Sequence, residues 1–150
     1  MSRKTMQIRI CAFLLILNLL FIWGNSLLPA EISQTISDWV AETLPIRKTM
    51  AVSEAESHFI RKLAHFLEFT ALGLLLKLLL HLQQKCGGYA LLLGLTAACV
   101  DETIQIFVPG RGPGFKDVGI DTCGVIAGMI LMQAGYYFVR KIRNTNWRIN

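Results

Sequence analysis

The chain has 150 residues, of which 53% are hydrophobic and only 17% charged, against about 25% charged in soluble domains. The apolar residues come in blocks of the roughly 20 residues needed to cross a bilayer, so composition excludes an ordinary soluble domain and points to an integral membrane protein. Net charge is +5, but the bases are scattered and form no stripe interleaved with aromatics, which argues against nucleic-acid binding.

The first block, ICAFLLILNLLFIWGNSLL, covers residues 10–28 and follows Arg3, Lys4 and Arg9. It is long for the core of a signal peptide and no clear A-x-A site follows it, so an uncleaved span is expected. Ile32, Ile36, Trp39, Val40 and Leu44 then recur at helical spacing, with Glu31, Asp38 and Glu42 on the opposite face. This pattern predicts a short amphipathic helix over residues 31–44, ended by Pro45, that either lies at the membrane interface or is an ordinary loop helix. Ser53 and Glu56 have capping-box spacing and mark the start of another helix. The second apolar block covers residues 64–82, with Lys77 placed to snorkel toward the interface. The third covers residues 89–108, after the Gly87-Gly88 turn, and the fourth covers residues 118–139, ahead of Arg140, Lys141 and Arg143. The expected fold is therefore all-α: one membrane domain over residues 1–150, a bundle of four transmembrane helices with the interfacial helix between the first and second.

The four cysteines, Cys11, Cys86, Cys99 and Cys123, show no C-x-x-C spacing, so neither a disulfide framework nor a zinc site is expected; Cys99 and Cys123 read as small buried hydrophobes. Basic residues suggest the orientation. Arg3, Lys4, Arg9, Lys85, Arg140, Lys141, Arg143 and Arg148 fall on one side, and Arg47, Lys48, Arg61, Lys62, Arg111 and Lys116 on the other. The larger group belongs inside, which puts both termini in the cytoplasm of a multi-pass protein.

Hairpin connectivity brings the start of the second span, the end of the third and the start of the fourth to one membrane face. That face collects Arg61, Lys62, His65, Glu68, Asp101, Glu102, Gln105, Arg111, Lys116, Asp117 and Asp121. Residues three, four and seven apart share a helix face. Gly94, Ala98, Asp101 and Gln105 therefore align, as do Asp117, Asp121, Gly124 and Gly128, and Arg61, His65, Glu68 and Leu72. Small residues at i and i+4 let membrane helices approach closely, so the polar groups sit at the outer end of packed faces and point away from lipid. A charge at the bilayer centre costs roughly 2.5–3.5 kcal/mol, and mutual pairing of five acids with four bases would remove most of that penalty. Such a knot of charge could simply hold helices together, but about ten polar groups at one rim exceed that need and favour a ligand or catalytic site.

Within the cluster His65 and Glu68, one turn apart, have the spacing of a general acid-base pair, with Glu102 as a further candidate. Arg111, in a loop rich in backbone N–H groups, suits a phosphate or carboxylate. Lys62, Gln105, Asp101, Asp117 and Asp121 are the remaining ligand-binding candidates. Asp101, Asp117 and Asp121 could hold a divalent cation only if they converge; one histidine and no H-E-x-x-H argue against a zinc hydrolase, and no metal or cofactor is assigned. His58 and His81 lie outside the cluster and read as solvated.

RKLAHFLEFTALGLLL (residues 61–76), DETIQIFVPGRG (101–112) and KDVGIDTCGVIAG (116–128) together resemble the VanZ-like family of small bacterial membrane proteins. The family's polar signature falls here on Lys62, His65, Glu102, Gln105, Arg111, Asp117 and Asp121, whereas Asp121 and the glycine-rich GRGPGFK loop depart from its usual pattern. The resemblance implies a bacterial cell-membrane protein of the envelope, with a link to low-level resistance to teicoplanin, a lipoglycopeptide that acts on cell-wall precursors outside the membrane. It implies no established chemistry. Three functions follow as expectations: binding of a lipid-linked precursor or lipoglycopeptide at the outer leaflet, an enzyme acting on a lipid headgroup, or an accessory protein that stabilises a partner.

Overall fold

The computed structural model describes residues 2–43, 54–112 and 114–146. They form five helices and no strand: α1 (Arg3–Ser26), α2 (Ala30–Thr43), α3 (Glu54–Leu82), α4 (Tyr89–Ile106) and α5 (Phe115–Asn146). Four segments are long and apolar enough to cross a membrane: Arg3–Ser26, His58–Leu82, Tyr89–Ile106 and Phe115–Arg143. The shortest, at 18 residues, is about 27 Å long at 1.5 Å per residue, close to the hydrocarbon thickness of a bilayer. The helices outrun the apolar blocks because polar residues at their ends continue the helical backbone: α1 takes in Arg3 to Arg9, and α5 begins three residues before Val118. The cap expected from Ser53 and Glu56, and the end of the amphipathic face at Leu44, fall outside the described residues and side chains.

α3 is the central element. Phe69, Leu72, Leu76 and Leu80 form its buried stripe and pack with Ile22 of α1, Ala90, Ala97 and Ala98 of α4, and Val125 of α5. Outside this core the pattern of a soluble protein is inverted. Phe13, Leu20 and Phe21 of α1, Leu92 of α4 and Ile130 of α5 all point away from the bundle, as expected of membrane-spanning helices. Lipid is as apolar as leucine, so helix association rests on close packing, and glycine provides it. A Cβ on Gly128 would lie 2.0 Å from the Thr70 carbonyl oxygen, and one on Gly124 would lie 2.6 Å from that of Phe66. The G-x-x-x-G of α5 is thus pressed against the backbone of α3. Val125, between the two, fits where Gly73 of α3 and Gly94 of α4 leave room.

Hydroxyl groups inside the spans satisfy themselves. Thr70, Thr96, Thr103 and Thr122 each donate to the carbonyl four residues earlier, at 2.7–2.9 Å. Lys77 behaves as its position predicts, with its amino group against Gly87 in the α3–α4 turn. His81 is exposed but not merely solvated: its ring meets the edge of Tyr136 with centroids 4.7 Å apart. Cys99 and Cys123 depart from expectation. Both are exposed on the outer surface of the bundle, and only Cys11 is buried. Glycine and alanine occupy the tightest helix contacts, and these two thiols fall on the neighbouring, outward-facing phases.

α2 packs on α3 through its small polar side. Ser37 is buried and its hydroxyl donates to the Ser33 carbonyl at 2.9 Å. Ile32, Ile36 and Trp39 lie on the side that the rest of the chain leaves uncovered, while Val40 of the same apolar stripe is half-buried.

Candidate functional site

Four helix ends, not three, meet at the polar face. The second, third and fourth spans contribute as expected, and the C-terminal end of α1 joins them through Asn25 and Ser26. Ser26 Oγ donates to Asp101 Oδ1 at 2.6 Å, and Gln105 Nε2 donates to Asp101 Oδ2 at 2.8 Å. Asn25 Nδ2 donates to Glu68 Oε1 at 2.8 Å. A single hint of this role exists in the sequence, the polar run Gly24-Asn25-Ser26 that closes the first apolar block.

The α4–α5 loop folds back over the same end. Gly110 has φ 74°, a conformation that glycine adopts without steric cost, and the turn there is closed by Arg111 N donating to the Val108 carbonyl at 3.1 Å. This brings Arg111 Nη2 to the Asn25 carbonyl at 3.3 Å, and Ala30 N to the Pro109 carbonyl at 3.3 Å. Gly114 N donates to Glu102 Oε2 at 2.8 Å, which ties the far side of the loop to α4. Asp117 lies within the first turn of α5, where a negative charge complements the helix dipole, and its Oδ1 is 3.6 Å from Lys62 Nζ. Burial holds the Arg111 guanidinium below its ordinary range. The Arg61 charge adds to this, while Asp101, Glu102 and Glu68 act in the opposite sense.

The polar cluster therefore has two parts. One is knitted: Asn25, Ser26, Glu68, Asp101, Glu102, Gln105 and Arg111 are tied across helices by the bonds above. The other surrounds a small cleft of about 30 Å³ lined by Arg61, Lys62, His65, Gln105, Asp117, Ile120 and Asp121. Of the nine candidates read from the sequence, Lys62, His65, Gln105, Asp117 and Asp121 line this cleft. Asp101 lies just beneath it, wholly buried, with Oδ2 at 3.9 Å from His65 Nδ1. Glu68, Glu102 and Arg111 are turned to the partners already given, and Glu68 and Glu102 each keep one buried oxygen without a hydrogen bond. Asp101 and Asp121 converge, with His65 between them, whereas Asp117 stands apart with Lys62.

The VanZ/LLP1 family model matches residues 11–138, which covers the second and third spans, most of the first and fourth, and the whole polar cluster. The chain belongs to the VanZ/LLP1 family. Comparison with curated proteins and with solved structures returned no match. In this VanZ/LLP1 protein, the residues that carry the resemblance at one membrane face are the ones that line or support the cleft. Arg61, an additional cation in the lining, immediately precedes them on α3.

Proposed function

We propose that this VanZ-like protein resides in the bacterial cell membrane and binds the charged headgroup of an amphiphilic or lipid-linked envelope molecule at the outer leaflet. The observation that carries this is the cleft: it sits at the end of a bundle whose sides are apolar, and Arg61 and Lys62 are in its lining. An acyl or prenyl chain would lie along the helices while the headgroup enters the cleft. An anionic oxygen entering the cleft would pair with Arg61 and Lys62. A phosphate or carboxylate group is the chemistry such a lining would select.

Decaprenyl phosphate is a suitable probe for the full-length protein in detergent, with native mass spectrometry as the readout. Arg61→Ala and Lys62→Ala are each expected to weaken binding by about tenfold to a hundredfold, since an ionic hydrogen bond contributes about 1.5–3 kcal/mol. Undiminished binding by both variants would refute the headgroup assignment. In cells, His65→Gln and Asp121→Asn are expected to keep normal membrane abundance while lowering protection against teicoplanin. Loss of the protein itself would instead favour an accessory role in which the charges hold helices or a partner.

The cleft opens outward if both termini are cytoplasmic, and chemistry at two cysteines tests this. Cys86 is exposed in the α3–α4 turn, at the opposite end from the cleft, and Gly112 is exposed in the α4–α5 loop with open space around it. A membrane-impermeant maleimide should modify Gly112→Cys in intact cells and Cys86 only after permeabilisation. The reverse pattern would invert the orientation.

A membrane enzyme acting on the same headgroup is favoured by one feature, His65 standing between two carboxylates at the cleft. In that case His65 would exchange protons with the headgroup, and His65→Gln would abolish product formation while leaving binding intact.

A further inference from the structure

We propose that His65, Asp101 and Asp121 form a binding site for one divalent metal ion at the floor of the cleft. The three residues come from α3, α4 and α5, and one donor atom of each lies within 4.8 Å of the other two. Three donors that close always leave a point no more than roughly 2.8 Å from all of them, so rotamer adjustments of at most about 0.6–0.8 Å would reach bonding distances of about 2.0–2.2 Å.

Asp121 is the independent observation. Its side chain is 1% exposed, and neither carboxylate oxygen takes part in a hydrogen bond among the described residues. A buried oxygen left unpaired is destabilising, more so when charged. The nearest basic group is no remedy, because His65 Nδ1 stands 3.9 Å from Asp121 Oδ1 and 3.9 Å from Asp101 Oδ2, beyond hydrogen-bonding reach of either. An ion placed among the three would give the buried Asp121 carboxylate a partner and put positive charge between two neighbouring carboxylates.

The surroundings fit the same assignment. Ser26 and Gln105 each hold one oxygen of Asp101, which sets the carboxylate plane as outer-shell partners of metal ligands do. The cleft has about 30 Å³, and one water-sized centre needs roughly 10–15 Å³, so an ion and one further oxygen ligand can be accommodated. One imidazole and two carboxylates suit Zn²⁺ or Mn²⁺ better than a copper(I) site, which wants sulfur, or a calcium site, which wants oxygen alone. The open position faces Arg61 and Lys62, so the ion's further ligand would be the anionic headgroup. This last step rests on the headgroup assignment above; the metal site itself does not.

The test uses the full-length protein in detergent, stripped with a chelator, dialysed against Zn²⁺ or Mn²⁺ and measured for metal content by mass spectrometry. One equivalent is expected for the unaltered chain and for Thr96→Ala, with at least tenfold weaker retention in Asp121→Asn and His65→Gln. Co²⁺ provides a reading that needs no variant: visible ligand-field bands should develop on addition and disappear when Zn²⁺ displaces it. Substoichiometric metal, full retention in Asp121→Asn, or absence of Co²⁺ bands in the unaltered chain would each overturn the proposal. The two assignments separate cleanly. One equivalent of metal without decaprenyl phosphate binding keeps the metal site and removes the headgroup; lipid binding to a chain that takes up no metal does the opposite.

Discussion

Gly128→Leu is expected to prevent accumulation of the folded protein. A Cβ at this position would lie 2.0 Å from the Thr70 carbonyl oxygen and 2.6 Å from the Leu74 backbone nitrogen, and backbone atoms of a membrane helix cannot move aside one at a time. α5 would have to separate from α3 along much of their shared seam. Inserting volume into a packed interior costs about 1–3 kcal/mol per site, and here the loss also includes the packing of Val125 against Gly73 and Gly94. Gly128→Ala should already lower the unfolding midpoint measurably. Gly135→Ala, with nothing within 4 Å of its added methyl, should leave it unchanged or raise it slightly. Abundance in membranes and thermal unfolding in detergent are the two readouts. Equal behaviour of the Gly128 and Gly135 variants would contradict the helix packing described here.

Asp101→Ala is expected to be the most damaging change in the polar cluster. The side chain is wholly buried and accepts from Ser26 on α1 and Gln105 on α4, so its removal orphans two buried donors and leaves His65 without one of its two neighbouring carboxylates. Breaking a buried charged network of this kind costs about 3–5 kcal/mol. Ser26→Ala alone should cost less, about 1.5–3 kcal/mol, the contribution of one hydrogen bond to a charged group. A double-mutant cycle on Ser26 and Asp101, read by thermal or chemical unfolding, should give a coupling of more than about 1 kcal/mol. A coupling near zero would mean that α1 is not tied to α4 through this pair.

The knitted and open parts of the cluster answer different questions. Among the described residues, the hydrogen bonds between helices at this face use Asn25, Ser26, Glu68, Asp101, Glu102, Gln105 or the loop backbone, and these hold the bundle end together. Arg61, Lys62, His65 and Asp121 line the cleft without such bonds among the described residues. Of these, Lys62 is ion-paired with Asp117 across α3 and α5, and His65 stands 3.9 Å from carboxylates of α4 and α5, so the cleft is held by looser charge contacts than the knitted part.

Much of this architecture was legible in the order of the amino acids because the bilayer imposes length and polarity on each span separately. The four spans and the amphipathic helix between the first two follow from runs of apolar residues and from their 3.6-residue period, properties of neighbouring positions. Convergence of α3, α4 and α5 at one polar face follows from alternating direction alone. Three matters depended on contacts between residues far apart in the chain. Ser26 reaches Asp101 across 75 positions, and no local pattern marks that pairing. The side on which each helix meets its neighbour, which turned Cys99 and Cys123 outward and pressed Gly128 on Thr70, is set by shape complementarity between two backbones. Last, whether Asp101 and Asp121 stood close enough to share an ion with His65, while Asp117 went to Lys62, was a question of ångströms, which helical periodicity cannot resolve and three-dimensional packing does.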